Sequence, residues 1–381
     1  MRATVEQSAL QEGVTLVQGI AQSKLSNPVV ENIVLKVDGE TTEILATNLS
    51  ISIRVVLASQ ETQAGEIALP AKLFGQLVRE LPAGPVSLEL KGDEMMIEAG
   101  RSHFHLFAVS TEDFPPFLPK VDGPVLEIPV EVAAKAIERV VFASSDERSR
   151  FELGGVKLIH EEGKVQWAAT DGRRLSLVKH DVGGESIAAG SILIPSRAAQ
   201  EVSRALPSEG NLKVTLGEKR VLFEAGNITI ASTLLTDNFP PWESLIPDSY
   251  SIHVTVGRDD LLSAVRRASV LANERSRLVE LVAKDGTLEV RGERQEAGGG
   301  NTEIDAMVEG KGAEVSYNAN YLIDCLRVMG EGKVRWSLIQ SDGAGYLSPE
   351  DDDSYLHIIM PMTVREEEVP VGDEEDLEAE D

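Results

Sequence analysis

Ser110-Thr111-Glu112-Asp113-Phe114-Pro115-Pro116-Phe117 returns 125 positions later as Leu235-Thr236-Asp237-Asn238-Phe239-Pro240-Pro241-Trp242. Pro70 to Pro82, an apolar-periodic stretch closed by Leu81-Pro82, returns at the same offset as Pro195 to Pro207, closed by Leu206-Pro207. Ala46-Thr47-Asn48 is answered by Ala169-Thr170-Asp171 after 123 positions, and Glu147-Arg148-Ser149-Arg150 by Glu274-Arg275-Ser276-Arg277 after 127. Asn318 to Met329 fits as a third copy of the second helix, 123 positions beyond the second copy. Several matches at nearly one spacing define an internal repeat of roughly 124 residues, present three times. The expected organisation is therefore repeats at 1–120, 121–247 and 248–364, followed by a tail at 365–381. The Phe-Pro-Pro segments read as ordered linkers.

Each repeat carries the same pattern. Apolar residues at helical spacing, such as Ala133, Ala136, Ile137 and Val140, predict first helices over about 5–19, 131–142 and 258–271. Alternating runs such as Ile33-Val34-Leu35-Lys36-Val37 and Val156-Lys157-Leu158-Ile159 predict strands. Second helices are predicted over about 70–81, 196–206 and 319–329, each introduced by Pro or Asn. Two helices on mixed or antiparallel sheets per repeat give an α+β fold, with the helices on one sheet face.

Composition limits the function. The 381 residues are 42% hydrophobic but only 4% aromatic, so the cores must be built mostly from Val, Leu, Ile and Ala. The single cysteine, Cys325, excludes a disulfide framework and a cysteine-only metal site, and its apolar helical position reads as core. The polar start and the lack of a long apolar run predict a cytoplasmic protein with no membrane span. Net charge is -27, of which Arg365–Asp381, with ten acids and one Arg, contributes -9. Such a segment is expected to be a disordered acidic tail. The six predicted helices, by contrast, hold ten bases against nine acids. One helical face is thus relieved of an otherwise pervasive negative charge, although mixed charge on amphipathic helices accounts for the count equally well.

The sequence carries no Gly-x-x-x-x-Gly-Lys-Ser/Thr, Gly-x-Ser-x-Gly or His-Glu-x-x-His motif. His103 and His105 alternate on a predicted strand with no further ligand types beside them. Glu350-Asp351-Asp352-Asp353 lacks the spacing and central Gly of a calcium loop and reads as a solvated loop. Gly298-Gly299-Gly300 reads as a flexible hairpin tip. The expectation is a binding protein with no catalytic residues, cofactor or metal.

Leu153-Gly154-Gly155-Val156, Ala169-Thr170-Asp171-Gly172-Arg173-Arg174-Leu175, Asp237-Asn238-Phe239-Pro240-Pro241-Trp242 with Ile246-Pro247, and Ile358-Ile359-Met360-Pro361-Met362 resemble the signatures of the bacterial DNA polymerase III beta sliding clamps. The resemblance runs from about residue 5 to Val364. It implies three similar clamp domains per chain and a head-to-tail homodimeric ring around duplex DNA, without sequence preference and with the helices lining the pore. Partners implied are the polymerase III catalytic subunit, the clamp loader and other proteins bearing the clamp-binding motif. Helix spacing of ~8–10 Å gives two chains a pore of about 30–38 Å, wide enough for a duplex and its water. The DNA-facing set would be Lys24, Lys72, Arg79, Lys135, Arg139, Arg197, Arg204, Arg266, Arg267 and Arg327. The resemblance places partner peptides in an apolar pocket between the second and third domains. That pocket would use Leu153, Thr170, Gly172, Arg173, Arg174, Leu175, Pro240, Leu245, Tyr321, Ile358, Ile359, Met360, Pro361 and Met362. It also places the dimer seam at Phe104 and Leu106 against Val270 and Leu271. Two features depart from the family: Arg173 stands where relatives often have His, and seventeen residues follow Thr363-Val364. A scaffold ring of the same repeats that never meets DNA is the alternative.

Overall fold

Apolar periodicity and proline together set the helix limits. The computed structural model describes residues 1–21, 28–115, 118–145, 153–183, 189–294 and 296–362. Its α-helices are α1 (Gln7–Ala21), α2 (Ala71–Glu80), α3 (Val130–Val141), α4 (Ser196–Ala205), α5 (Arg258–Val270) and α6 (Ala319–Val328). Each lies within ~2 residues of its predicted span, the usual uncertainty of helix ends. The later start of α1 has a cause. Ala3 and Val5 alternate into the core at 0% and 1% exposure, so Arg2–Glu6 is a strand and the helix waits until Gln7.

Pro70, Pro129 and Pro195 immediately precede α2, α3 and α4. A proline there sacrifices no helical bond, because the first N–H groups of a helix have no partner within it. At the other end, Leu81 (φ -68°, ψ 146°) and Leu206 (φ -62°, ψ 134°) are extended. The prolines that follow them disfavour helical backbone at the preceding residue. Asn318 caps α6 by accepting the Asn320 N–H at 2.9 Å.

The described residues pack as two units, Met1–Ile246 with Asp351–Ile358, and Pro247–Glu350 with Ile359–Met362. In the first unit one sheet runs Gln60–Gln63, Arg2–Glu6, Pro85–Lys91, Glu94–Ala99, Ser102–Phe107. A second runs Val125–Pro129, Asn211–Leu216, Arg220–Ala225, Ile228–Thr233, Ile51–Ala58, Thr41–Thr47, Asn32–Asp38, Gly65–Pro70, and so joins the first two repeats. Gly190–Pro195, Gly155–Glu161, Lys164–Thr170 and Arg174–Asp181 follow in order, with Tyr355–Ile359 beside the last. In the second unit the order is Gly345–Pro349, Lys333–Leu338, Ile252–Gly257, Gly298–Glu309, Thr287–Arg294, Leu278–Lys284, Ala313–Asn318. The helices pack in pairs, α1 with α2, α3 with α4 and α5 with α6. The apolar stripe of α1 (Leu10, Val14, Val17, Ile20) is at most 1% exposed.

Two expectations need correction. Gly298-Gly299-Gly300 is not a hairpin tip but the start of a strand, registered with Arg294, Glu293 and Gly292. Asp352 is not a freely solvated loop acid but a half-buried one, ion-paired with a buried arginine. Cys325 is fully buried in α6, as its apolar position predicts. The acidic tail, Glu147–Arg150, Pro116 and Phe117 lie outside the described residues.

Candidate nucleic-acid and partner interfaces

The Thr170–Arg174 turn shows why its residue types recur. Thr170 Oγ1 donates to the Arg174 carbonyl at 2.6 Å and accepts the Gly172 N–H at 3.0 Å. Asp171 Oδ1 accepts the N–H groups of Arg173 and Arg174 at 2.9 and 3.1 Å. Gly172 has φ +85°, in the left-handed region that only glycine enters without strain. The first repeat builds the same turn from different letters. Leu49 N–H donates to Thr47 Oγ1 at 3.1 Å, while Asn48 Oδ1 accepts Ser50 N–H at 3.1 Å and Ile51 N–H at 2.8 Å. The repeat is therefore a repeat of hydrogen bonds as well as of sequence.

Arg174 is fixed on three sides. Its Nε donates to Asp171 Oδ2 at 3.1 Å, its Nη2 to the Phe142 carbonyl at 2.7 Å, and its guanidinium lies 5.4 Å over the Phe142 ring. Phe142 also stacks on His357 at 5.6 Å, and His357 Nδ1 is 2.7 Å from Ser176 Oγ. The His357 imidazole is pushed down to about 3, first by burial and then by the Arg174 charge. Leu153, Thr170, Leu175 and Ile358 are buried in this unit, Arg174 is half-buried, and Gly172, Arg173, Pro240 and Leu245 are exposed. In the second unit Ile359 is buried and Tyr321 half-buried on α6. There Met360 is exposed at 46%, Pro361 and Met362 are half-buried, and the Met362 N–H donates to the Ser316 carbonyl at 2.8 Å.

Of the basic set, Lys72, Arg79, Lys135, Arg204, Arg266, Arg267 and Arg327 are exposed on their helices. Arg197 is half-buried and donates to the Gly19 carbonyl at 3.1 Å. Arg204 is ion-paired with Glu201 within α4. Lys24 lies outside the described residues. Arg139 must be withdrawn from the set. It is 3% exposed, with Nη1 2.8 Å from Asp352 Oδ2 and its guanidinium 5.0 Å over the Tyr355 ring. Burial would raise the Asp352 carboxyl, but hydrogen bonds from Ser354 and Arg139 outweigh it and hold the group at about 2. Sequence reasoning missed this cluster because Arg139 and Asp352 are 213 residues apart and share no motif.

At the seam residues, Phe104 is 43% exposed and Leu106 half-buried on Ser102–Phe107, while Val270, at the end of α5, is 76% exposed and Leu271 half-buried. No helix among the described residues is long and apolar enough to cross a membrane.

Three profiles describing the DNA polymerase III beta subunit match in order, its N-terminal domain at 1–119, its central domain at 127–241 and its C-terminal domain at 243–363. The chain belongs to the DNA polymerase III beta subunit family. It is 29% identical to the beta sliding clamp of Synechocystis, over 95% of this chain and 99% of that one. It is 27% identical to the beta sliding clamp of Escherichia coli K12, over 95% and 100%. The crystal structure of the DNA polymerase sliding clamp from Bacillus subtilis superposes with a TM-score of 0.87 at 27% identity, covering 96% of this chain and all of that one (100%). The function is that of a DNA sliding clamp for replication, a processivity factor rather than a catalyst, and a scaffold that never meets DNA is not favoured.

Proposed function

We propose that two copies of this clamp close head to tail around duplex DNA, with domains at 1–120, 121–247 and 248–364, and act in the cytoplasm. The observation that carries this reading is the run of exposed bases, Lys72, Arg79, Lys135, Arg204, Arg266, Arg267 and Arg327, on the helices of a chain whose net charge is -27. Lysine and arginine attract phosphates without reading bases, which suits a protein that must move along any sequence, while acid elsewhere repels DNA from the wrong surface. Lys24 and Arg197 belong to the same proposed set.

Phe104 and Leu106 of one protomer meet Val270 and Leu271 of the partner subunit in this reading, since exposed apolar residues on an open edge strand need covering. Partner peptides with apolar anchors engage Leu153, Thr170, Gly172, Arg173, Arg174, Leu175, Pro240, Leu245, Tyr321 and Ile358–Met362. The flexible thioethers of Met360 and Met362 suit recognition of several sequences. The polymerase III catalytic subunit and the clamp loader are the expected partners, and the acidic tail screens weaker ones. Loading onto nicked circular DNA tests the core of the proposal. The protein should stay with circles during gel filtration and be lost when they are linearised. Equal loss from both would refute topological binding.

A further inference from the structure

The joint between the first two repeats holds a cavity of about 200 Å3, lined wholly by residues of the first unit. It lies over the strand pair of Ile51–Ala58 with Ile228–Thr233, which sets Ser52 opposite Ala231 and Ile51 opposite Ser232. Leu49 and Ser50 from the preceding turn, with Pro115 and Pro119 from the linker, complete its sides.

Backbone register shows what this cavity corresponds to. The carbonyl of Asn227 accepts the Val56 N–H at 3.0 Å, and that of Ser354 accepts the Lys179 N–H at 2.8 Å. Val56 and Lys179 are 123 positions apart, the offset that relates Thr47 to Thr170, so Asn227 and Ser354 are equivalent as well. Ala231, Ser232 and Thr233 therefore answer Ile358, Ile359 and Met360, while Ser52 answers Leu175 and Leu49 answers Gly172. The same positions recur with different chemistry. Where the later copy has Leu175, Ile358, Ile359 and Met360, the earlier one has three hydroxyls and an alanine.

The lining is selective in charge. The chain holds 63 acids against 36 bases, yet among the described residues that line the cavity Arg220 alone is charged. Arg220 is exposed and stands opposite Thr233 in register. The hydroxyls of Thr47 and Ser52 are committed to each other at 2.8 Å. Thr233 Oγ1, in contrast, is 3.5 Å from the Ser50 carbonyl, the long limit of a hydrogen bond, so it can turn to a ligand. A guanidinium beside the Ser50 and Thr233 hydroxyls is a donor set for a carboxylate.

Leu49 is the second observation. It is 55% exposed and held at φ 75°, where the equivalent turn position has glycine. Leucine in the left-handed region strains the backbone, and so exposed a side chain recovers little by burial. Folding does not account for it, and strained residues of this kind persist at ligand clamps.

We propose that this cavity binds an extended acidic peptide segment of a partner protein. A glutamate or aspartate carboxylate accepts hydrogen bonds from Arg220 and from the Ser50 and Thr233 hydroxyls, and a neighbouring aliphatic residue packs on Leu49, Pro115 and Pro119. A free anion would leave Leu49 uncovered. The volume equals roughly seven waters at ~30 Å3 each, which admits one or two side chains and no folded element. The site is separate from the Met360–Met362 surface and does not rest on it.

Fluorescence anisotropy tests the site with a labelled, end-capped hexapeptide of alternating leucine and glutamate. The measurement is made at 0.15 M salt, where a Debye length of ~8 Å limits repulsion from the rest of the acidic chain. Sub-millimolar binding is expected. Glutamine in place of glutamate in the peptide, or Arg220→Gln in the protein, should each weaken it at least fivefold, whereas Lys219→Gln, at the exposed base next along the chain, should not. Leu49→Gly should also weaken binding at least fivefold while raising the melting temperature, a split that a merely structural leucine would not produce. Excess unlabelled peptide carrying Gln, Leu and Phe should fail to displace the probe. No binding, equal binding by wild type and Arg220→Gln, or displacement by that competitor would overturn the site. If truncation after Val364 tightened binding at least fivefold, the chain's own tail would be the occupant and the partner assignment would fall.

Discussion

Arg139 Nη1 lies 2.8 Å from Asp352 Oδ2, and this pair ties the segment Asp351–Ile358 to α3. The arginine is 3% exposed, and 27% of the aspartate side chain remains accessible. Ser354 contributes its carbonyl to the Lys179 N–H at 2.8 Å, so the segment is held by backbone as well as by charge. A cation read from the sequence as a DNA contact is instead a structural fastening.

Removing one partner leaves the other charge buried. Asp352→Ala is expected to destabilise the protein by roughly 3 kcal/mol, at the lower end for a broken buried pair because Asp352 is partly solvated. Denaturant unfolding would measure it, with Asp351→Ala, an exposed neighbour, as the control. A loss below about 0.5 kcal/mol would mean that the pair fastens nothing.

The buried His357 makes stability depend on pH. Its folded value is near 3, whereas an unfolded histidine takes a proton near 6.5. The unfolded chain therefore binds the extra proton between those values. The stabilisation is complete above pH ~6.5 and is lost as pH falls towards 3, by about 1.4 kcal/mol per unit from this group. His160 and His180 are also lowered by burial and add in the same direction. Chemical denaturation at pH 7 and pH 5 should show the loss, and His357→Leu should flatten the slope. An unchanged slope would place the titration elsewhere.

Lys72 and Arg79 should contribute to DNA binding through phosphates alone. Replacing both with Ala is expected to weaken binding to all duplexes alike, and to lower the salt exponent by roughly 0.9 per lost contact. Arg139→Met should leave the exponent unchanged. A reduced exponent for Arg139→Met would return that residue to the DNA surface.

Leu49 and Gly172 occupy the same turn position at φ 75° and 85°. A side chain in the left-handed region costs ~1–2 kcal/mol. Leu49 is 55% exposed and gives up little burial, so Leu49→Gly should raise stability by about 1 kcal/mol, and Gly172→Ala should lower it similarly. Thermal melts of both variants would check the pair, since opposite signs are required.

A short peptide carrying Gln followed by Leu and Phe is expected to bind with micromolar affinity, its apolar anchors supplying most of the energy. Met362→Ala should weaken it several-fold in calorimetry without changing the sedimenting mass. Truncation after Val364 should tighten binding at 0.05 M salt and have little effect at 1 M, where the Debye length falls to ~3 Å. Identical affinities for all three proteins would exclude this surface and the tail from peptide recognition.

Local chemistry that recurs was legible from the sequence. The repeat shows as short motifs that return at one spacing, and the helix limits set by Pro70, Pro195, Pro82 and Pro207 follow from residues within a few positions of one another, whereas the turn at Thr170–Arg174 was visible only as a motif until the structure showed its hydrogen bonds. Backbone sterics and short-range hydrogen bonds act over that distance and leave periodic traces. What only the tertiary structure decided depends on residues far apart in the chain. Arg139 and Glu138 are adjacent and both charged, yet one is buried against Asp352 and the other is exposed, because only the fold brings residue 352 to α3. Gly298-Gly299-Gly300 has the composition of a loop. It is a strand because Arg294, Glu293 and Gly292 stand opposite it, and hydrogen bonding to a neighbouring strand is a property that no window of sequence contains.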